Sequence, residues 1–125
     1  AQPGRAAAFA VARELKVGGA ALMYMDEVIA GRRLGPVFDG PPPMDGNIAA
    51  AARLAVRFGA ALIPAYCLRL GGARFRVAYE DPLRADPAAP RESEELRLAA
   101  VLNDRVAGWI RAHPEQWLML HERPR

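Results

Sequence analysis

"ALIPAYCLRLGGARFRVAYE" occupies residues 61–80, and its reading decides the fold. Two apolar runs flank Gly71-Gly72, a pair that supplies the positive φ a tight hairpin turn requires. In the second run Phe75, Val77 and Tyr79 alternate with Arg74 and Arg76, the period-two pattern of a strand with one apolar face. Pro64 has no N–H to offer a ladder, so the first strand begins at it or lies at an edge. The stretch predicts an antiparallel β-hairpin. Cys67 sits inside the first apolar run and reads as a small buried residue. As the sole cysteine it makes no internal disulfide, which fits a reducing compartment.

Upstream, Ile48, Ala51, Ala52, Ala55 and Phe58 recur at helical spacing. Asp45 or Asn47 is placed to cap that helix and Gly59 to close it. Before it, residues 26–47 hold four glycines and Pro36, Pro41, Pro42 and Pro43, the composition of a long loop. Long loops in compact domains tend to be functional or disordered. "AALMYM" (20–25) is a short continuous apolar run and predicts a buried strand. The chain opens on a helix whose stripe is Ala8, Val11, Ala12 and Leu15, stopped by Gly18-Gly19.

Downstream, "DPLRADPAAPRESEE" is a proline-rich connection. Ser93, Glu94 and Glu95 open a last helix with Leu98, Leu102, Val106, Trp109 and His113 on one stripe, and Pro114 ends it. The order is helix, strand, helix, strand, strand, helix. Two strands joined through a crossover helix should pair or neighbour in parallel. The expected fold is therefore α/β: a mixed, mostly parallel sheet with an antiparallel hairpin, flanked by helices. Residues 1–125 read as one unit, and "AQPGRAAAF", with neither Met nor signal-peptide pattern, reads as the start of a piece cut from a longer protein.

The net charge is +3, and Lys16 is the only lysine. Arg- and Ala-rich composition follows from a GC-rich genome; a basic surface also suits anionic partners. No run approaches the roughly 20 apolar residues that span a bilayer. Arg74, Phe75 and Arg76 suggest nucleic-acid binding, but alternation puts the phenyl on the face opposite its arginines, so no nucleic-acid partner is expected. His113 and His121 fit no metal-ligand spacing, and neither a dinucleotide fingerprint nor a phosphate loop is present, so no metal and no cofactor are expected.

The best candidate site follows the first strand, since ligands of α/β sheets collect beyond strand carboxyl ends. Asp26 and Glu27 lie there, a carboxylate pair able to hold a metal or act as a base. Arg32 and Arg33 follow, and adjacent arginines clamp phosphate. The bland alternative is a solvated loop in which Asp26 caps a turn.

Three stretches carry a family resemblance. "NDRVAGWIRAHPEQWLMLHERPR" has Ile110-Arg111, then Pro114-Glu115-Gln116-Trp117, then His121 and Arg123. "LKVGGAALMYMDE" runs a helix through Gly-Gly into a strand ending in Asp26, with Glu27 where a Gln is usual. "GPVFDGPPPMDGNIAAAARLAVRFGAALIPAYCLR" places Phe38, Gly40 and Pro64. Together they resemble the carboxyl-terminal part of the lipid A biosynthesis acyltransferases, within the lysophospholipid acyltransferase superfamily. Met119, Glu122 and Pro124 depart from the usual tail. The family's His-x-x-x-x-Asp/Glu motif is absent, because the fifth residue after His113 is Leu118 and His121 runs out of chain.

The resemblance implies transfer of a fatty acyl group from an acyl carrier protein thioester to a hydroxyl of an anionic glycolipid, the lipid A precursor. It implies an inner-membrane surface at the cytoplasmic face, with the catalytic base encoded elsewhere. It implies acceptor contacts at Asp26, Glu27, Arg32, Arg33, Phe38 and Gly40. The tail is expected to act first as a packing anchor through Trp109 and Trp117. The rival expectation is a non-enzymatic α/β module that binds an anionic ligand or protein partner through the same loop.

Overall fold

Alanine decides how the core is built. Ala51, Ala52 and Ala55 stand on one face of a helix with Ile48, and all four are buried. Such small side chains let a second helix approach closely, and that helix answers with Leu98, Ala99, Leu102 and Val106. Large residues then meet small ones across the contact, the interdigitation that close packing demands. Leu98 and Ile48 are fully enclosed, and each such side chain contributes roughly 1.5–3 kcal/mol by leaving water.

In the computed structural model, residues 3–26, 28–29, 32–33 and 35–117 are described. Their order is α1 (Pro3–Lys16), β1 (Val28–Ile29), β2 (Arg32–Arg33), α2 (Asn47–Phe58), β3 (Ala65–Gly71), β4 (Arg74–Tyr79) and α3 (Arg91–Ala112), then a 3₁₀ turn at Pro114–Gln116. The core lies between α2 and α3. Gly59 closes α2 in the left-handed region, φ 62°, as its position predicts. The N-cap of α2 is Gly46, with no side-chain cap bond, so neither Asp45 nor Asn47 takes that role. Asn47 instead donates from Nδ2 to the Tyr24 carbonyl at 2.9 Å.

The hairpin forms where the sequence puts it. β3 and β4 pair antiparallel, with Cys67 opposite Val77 and Ala65 opposite Tyr79. A Leu62–Leu83 bridge prolongs it. One hairpin face turns toward α3: Tyr66 packs on Trp109 with ring centroids 4.7 Å apart. The other face carries Cys67, Phe75, Val77 and Tyr79, all exposed. Cys67 is therefore not the buried residue its apolar neighbours suggest. Alternation put it on the face that no described residue covers.

The described residues form a mixed α/β arrangement of helices with a small antiparallel sheet, and β1 and β2 add a two-residue antiparallel pair. The parallel pairing expected of residues 20–25 is not formed among the described residues. Their exposure still alternates: Leu22 and Tyr24 are exposed, while Met23 and Met25 pack against the core. α3 starts at Arg91 behind Pro90, two residues before the expected Ser93. Glu94 is buried there and accepts from the Asp86 N–H at 2.6 Å and from Arg97 Nη2 at 2.6 Å and Nε at 2.7 Å. Arg97 also donates to the Arg84 carbonyl, so one ion pair ties the proline-rich connection to α3.

No helix among the described residues is long and apolar enough to cross a membrane.

Candidate functional site

The loop that leaves residues 20–25 is held to the helices at two points. The first is Gly35, whose φ of 146° suits glycine alone. A Cβ there would stand 2.9 Å from Ile48 Cδ1 and 3.1 Å from the Met25 carbonyl oxygen, so the backbone passes against α2 with no room to spare. The second is Asn103, a buried amide on α3. It accepts from the Val37 N–H at 2.8 Å and donates back to the Val37 carbonyl at 2.8 Å. The carboxamide thus behaves as a short strand edge and fixes the backbone just before Phe38. Asn103 was legible as a polar residue on an apolar helix face, but not as the clasp of this loop.

Phe38 is presented at the carboxyl end of α3. The Arg111 guanidinium lies over its ring, 5.4 Å from the centroid, and donates to the Phe38 carbonyl. Arg111 also stands 3.5 Å from Asp39, a weak pair because Asp39 is fully exposed. Pro114 ends α3 and the 3₁₀ turn swings the chain back, which brings Trp117 edge-on to Phe38 at 5.8 Å between centroids. The Trp117 indole N–H then reaches Asp26 Oδ2 at 3.1 Å, across 91 residues of sequence. Asp26, Phe38 and Trp117 therefore meet at one place, and these residues come from the three stretches quoted above.

The remaining expected site residues are less tightly drawn together. Gly40 is exposed at the loop, with φ 119°. Arg32 and Arg33 form β2, opposite Ile29 and Val28, on the same excursion between Asp26 and Gly35. Glu27 lies outside the described residues, as do His121 and Arg123 of the tail. Gln116 and Arg111 were visible only as motif letters, but both make contacts here. Gln116 accepts from the Arg69 N–H at 2.8 Å, and its Nε2 faces the Arg69 carbonyl at 3.4 Å.

Beside this meeting point an apolar groove of about 350 Å³ runs between residues 22–26 and β3, floored by Val106, Trp109, Ile110 and His113 of α3. Trp109 keeps its indole N–H satisfied on Glu80 Oε1 at 2.7 Å, and Arg105 neutralises the other Glu80 oxygen at 2.9 Å. Among the described residues no cluster of three His, Cys, Asp or Glu is placed to hold a metal ion.

The arrangement offers a carboxylate, Asp26, among the residues lining an apolar groove, with Arg111 on the neighbouring Phe38. Chemically it suits an amphiphile: a hydroxyl-bearing polar group at Asp26 and an apolar portion in the groove. Comparison with known proteins gives one family match: the family model for bacterial lipid A biosynthesis acyltransferase covers residues 12–125. No curated protein and no solved structure matches the chain.

Proposed function

The chain belongs to the bacterial lipid A biosynthesis acyltransferase family, and from that premise we propose that it holds the glycolipid acceptor in an acyl transfer from acyl carrier protein. The family match over residues 12–125 carries this reading. The meeting of Asp26, Phe38 and Trp117 supports it, because it joins the three resemblance-bearing stretches around one carboxylate.

In this reading the acceptor is an anionic lipid A precursor at the cytoplasmic face of the inner membrane. Its hydroxyl attacks the thioester carbon, a base removes the hydroxyl proton, and the thiolate of the carrier leaves. Donors must meet the oxyanion that develops on the thioester oxygen. The 125 residues contain no His-x-x-x-x-Asp/Glu, so the base belongs to sequence outside them. Asp26 has one oxygen engaged by Trp117 and offers the other to an acceptor hydroxyl. Arg32 and Arg33 meet the acceptor's phosphates, Glu27 is a further acceptor contact in this reading, and Phe38 and Gly40 line the approach. The mostly parallel sheet expected from the sequence would be completed in the whole catalytic domain, of which these residues form the carboxyl-terminal part.

The test is kinetic. In the protein encoded by the complete reading frame, Arg32→Gln with Arg33→Gln should raise KM for the acceptor about tenfold or more, because charge-assisted contacts to phosphate contribute roughly 1.5–3 kcal/mol each. The carrier KM should stay unchanged. An unaltered acceptor KM would remove the arginines from the site.

A further inference from the structure

The 3₁₀ turn at Pro114–Gln116 is closed by its own backbone. Pro114 fixes φ where the turn begins. The Gln116 N–H donates to the His113 carbonyl at 3.0 Å, and the Trp117 N–H donates to the Pro114 carbonyl at 3.2 Å. α3 runs into the turn without slack, since the His113 N–H still donates to the Trp109 carbonyl at 3.0 Å.

Two consecutive side chains leave this turn for different elements. Gln116 takes β3, where its Oε1 accepts from the Arg69 N–H at 2.8 Å and its Nε2 faces the Arg69 carbonyl at 3.4 Å. Trp117 takes Asp26, donating its indole N–H to Oδ2 at 3.1 Å. Asp26, Gln116 and Trp117 all line the same groove. The turn is therefore a bracket that stands on α3 and joins β3 to the Asp26 carboxylate.

The Trp117 ring is steadied from a second side. Phe38 meets it with ring planes at 67°, an edge-on arrangement that aromatic pairs favour. Phe38 has supports of its own, the Asn103 clasp on Val37 and the Arg111 guanidinium over its ring. An indole has only two side-chain torsions, so these contacts are enough to set where its N–H points. A directional hydrogen bond from a fixed donor then selects one orientation of the carboxylate that accepts it.

We infer that Trp117 is a positioning residue of the acceptor site and that Gln116 is its footing. The indole N–H holds one Asp26 oxygen so that the other meets the acceptor hydroxyl at a set angle. This role rests on the acceptor reading of Asp26 given above. It gives the turn that follows α3 a part in substrate recognition beyond packing.

The acceptor KM of the protein encoded by the complete reading frame is the readout, because loss of folded enzyme lowers the rate and leaves KM where it was. Trp117→Phe keeps a ring beside Phe38 and removes the N–H. It should raise the acceptor KM about fivefold or more and leave the carrier KM unchanged. Gln116→Ala should raise the acceptor KM too, and Gln116→Glu, which keeps an oxygen for the Arg69 N–H, should raise it less. Once Trp117→Phe is in place, Gln116→Ala should add nothing, since both act through one hydrogen bond. Asp26→Ala separates this role from the reading beneath it. If Asp26→Ala raises the acceptor KM and Trp117→Phe does not, the positioning role is overturned and the acceptor reading stands. If Asp26→Ala leaves the acceptor KM unchanged, the acceptor reading of Asp26 falls and the positioning role falls with it. An equal rise from Gln116→Ala with and without the indole overturns the part given to Gln116.

Discussion

At the scale of single residues, two contacts have consequences that can be measured. Hydrogen bonds from Arg97, then the Asp86 N–H, hold the Glu94 carboxyl at a pKa of about 2 against an ordinary 4.5, with burial opposing them. The folded form therefore prefers ionised Glu94. The stability this adds is complete above pH 4.5 and is lost as the pH falls toward about 2. Glu94→Gln should lower the melting temperature at neutral pH and flatten its fall across that window. A fall as steep as in the unaltered protein, read by circular dichroism, would show that other groups carry the acid sensitivity. Trp117 is half-buried, so its anchoring is weaker than full enclosure would give. Trp117→Phe keeps a ring against Phe38 and removes the N–H that Asp26 accepts. A cost of about 1 kcal/mol is expected, some 3–6 °C in melting temperature. Adding Asp26→Asn should then cost less than it does alone, because the pair acts as one interaction.

At the scale of elements, periodic segments were legible and partnerships were not. The stripe Leu98, Leu102, Val106 and the set Ile48, Ala51, Ala52, Ala55 read directly as core faces, and both are buried. The hairpin followed from Gly71-Gly72 and the alternation after it. Residues 20–25 have a strand's alternation but no ladder here, because a ladder depends on what lies beside the segment. Cys67 was misread for the same reason: an apolar strand face is buried only if something covers it. Glu94 looks like an ordinary first-turn acid, and its buried role rests on an Asp86 N–H that only the proline-rich turn brings near. Of the site, Asp26 was named from the strand's carboxyl end and again by the resemblance, Phe38 from the resemblance alone, while the clasp at Asn103 required coordinates. The alanine seam between α2 and α3 gives a further test. Ala52→Leu adds volume where Ala52 is fully enclosed, and should destabilise by about 1–3 kcal/mol in urea unfolding. An unchanged midpoint would mean that the seam is looser than described.

At the scale of the whole molecule, the helical core holds the loop clasped at Val37 and the returning 3₁₀ turn, and together they bring Asp26, Phe38 and Trp117 to one place. An apolar groove and the family match lie within these residues, and in the proposed reaction the proton-abstracting group comes from a His-x-x-x-x-Asp/Glu that they do not contain. The most direct measurement is acyl transfer from acyl carrier protein to a lipid A precursor, followed by mass spectrometry, with the 125-residue chain beside the protein encoded by the complete reading frame. The complete protein is expected to transfer the acyl group, and the 125-residue chain to fall short by at least about two to four orders of magnitude, the usual contribution of a general base. Comparable turnover by the 125-residue chain, or none by the complete protein, would contradict the account.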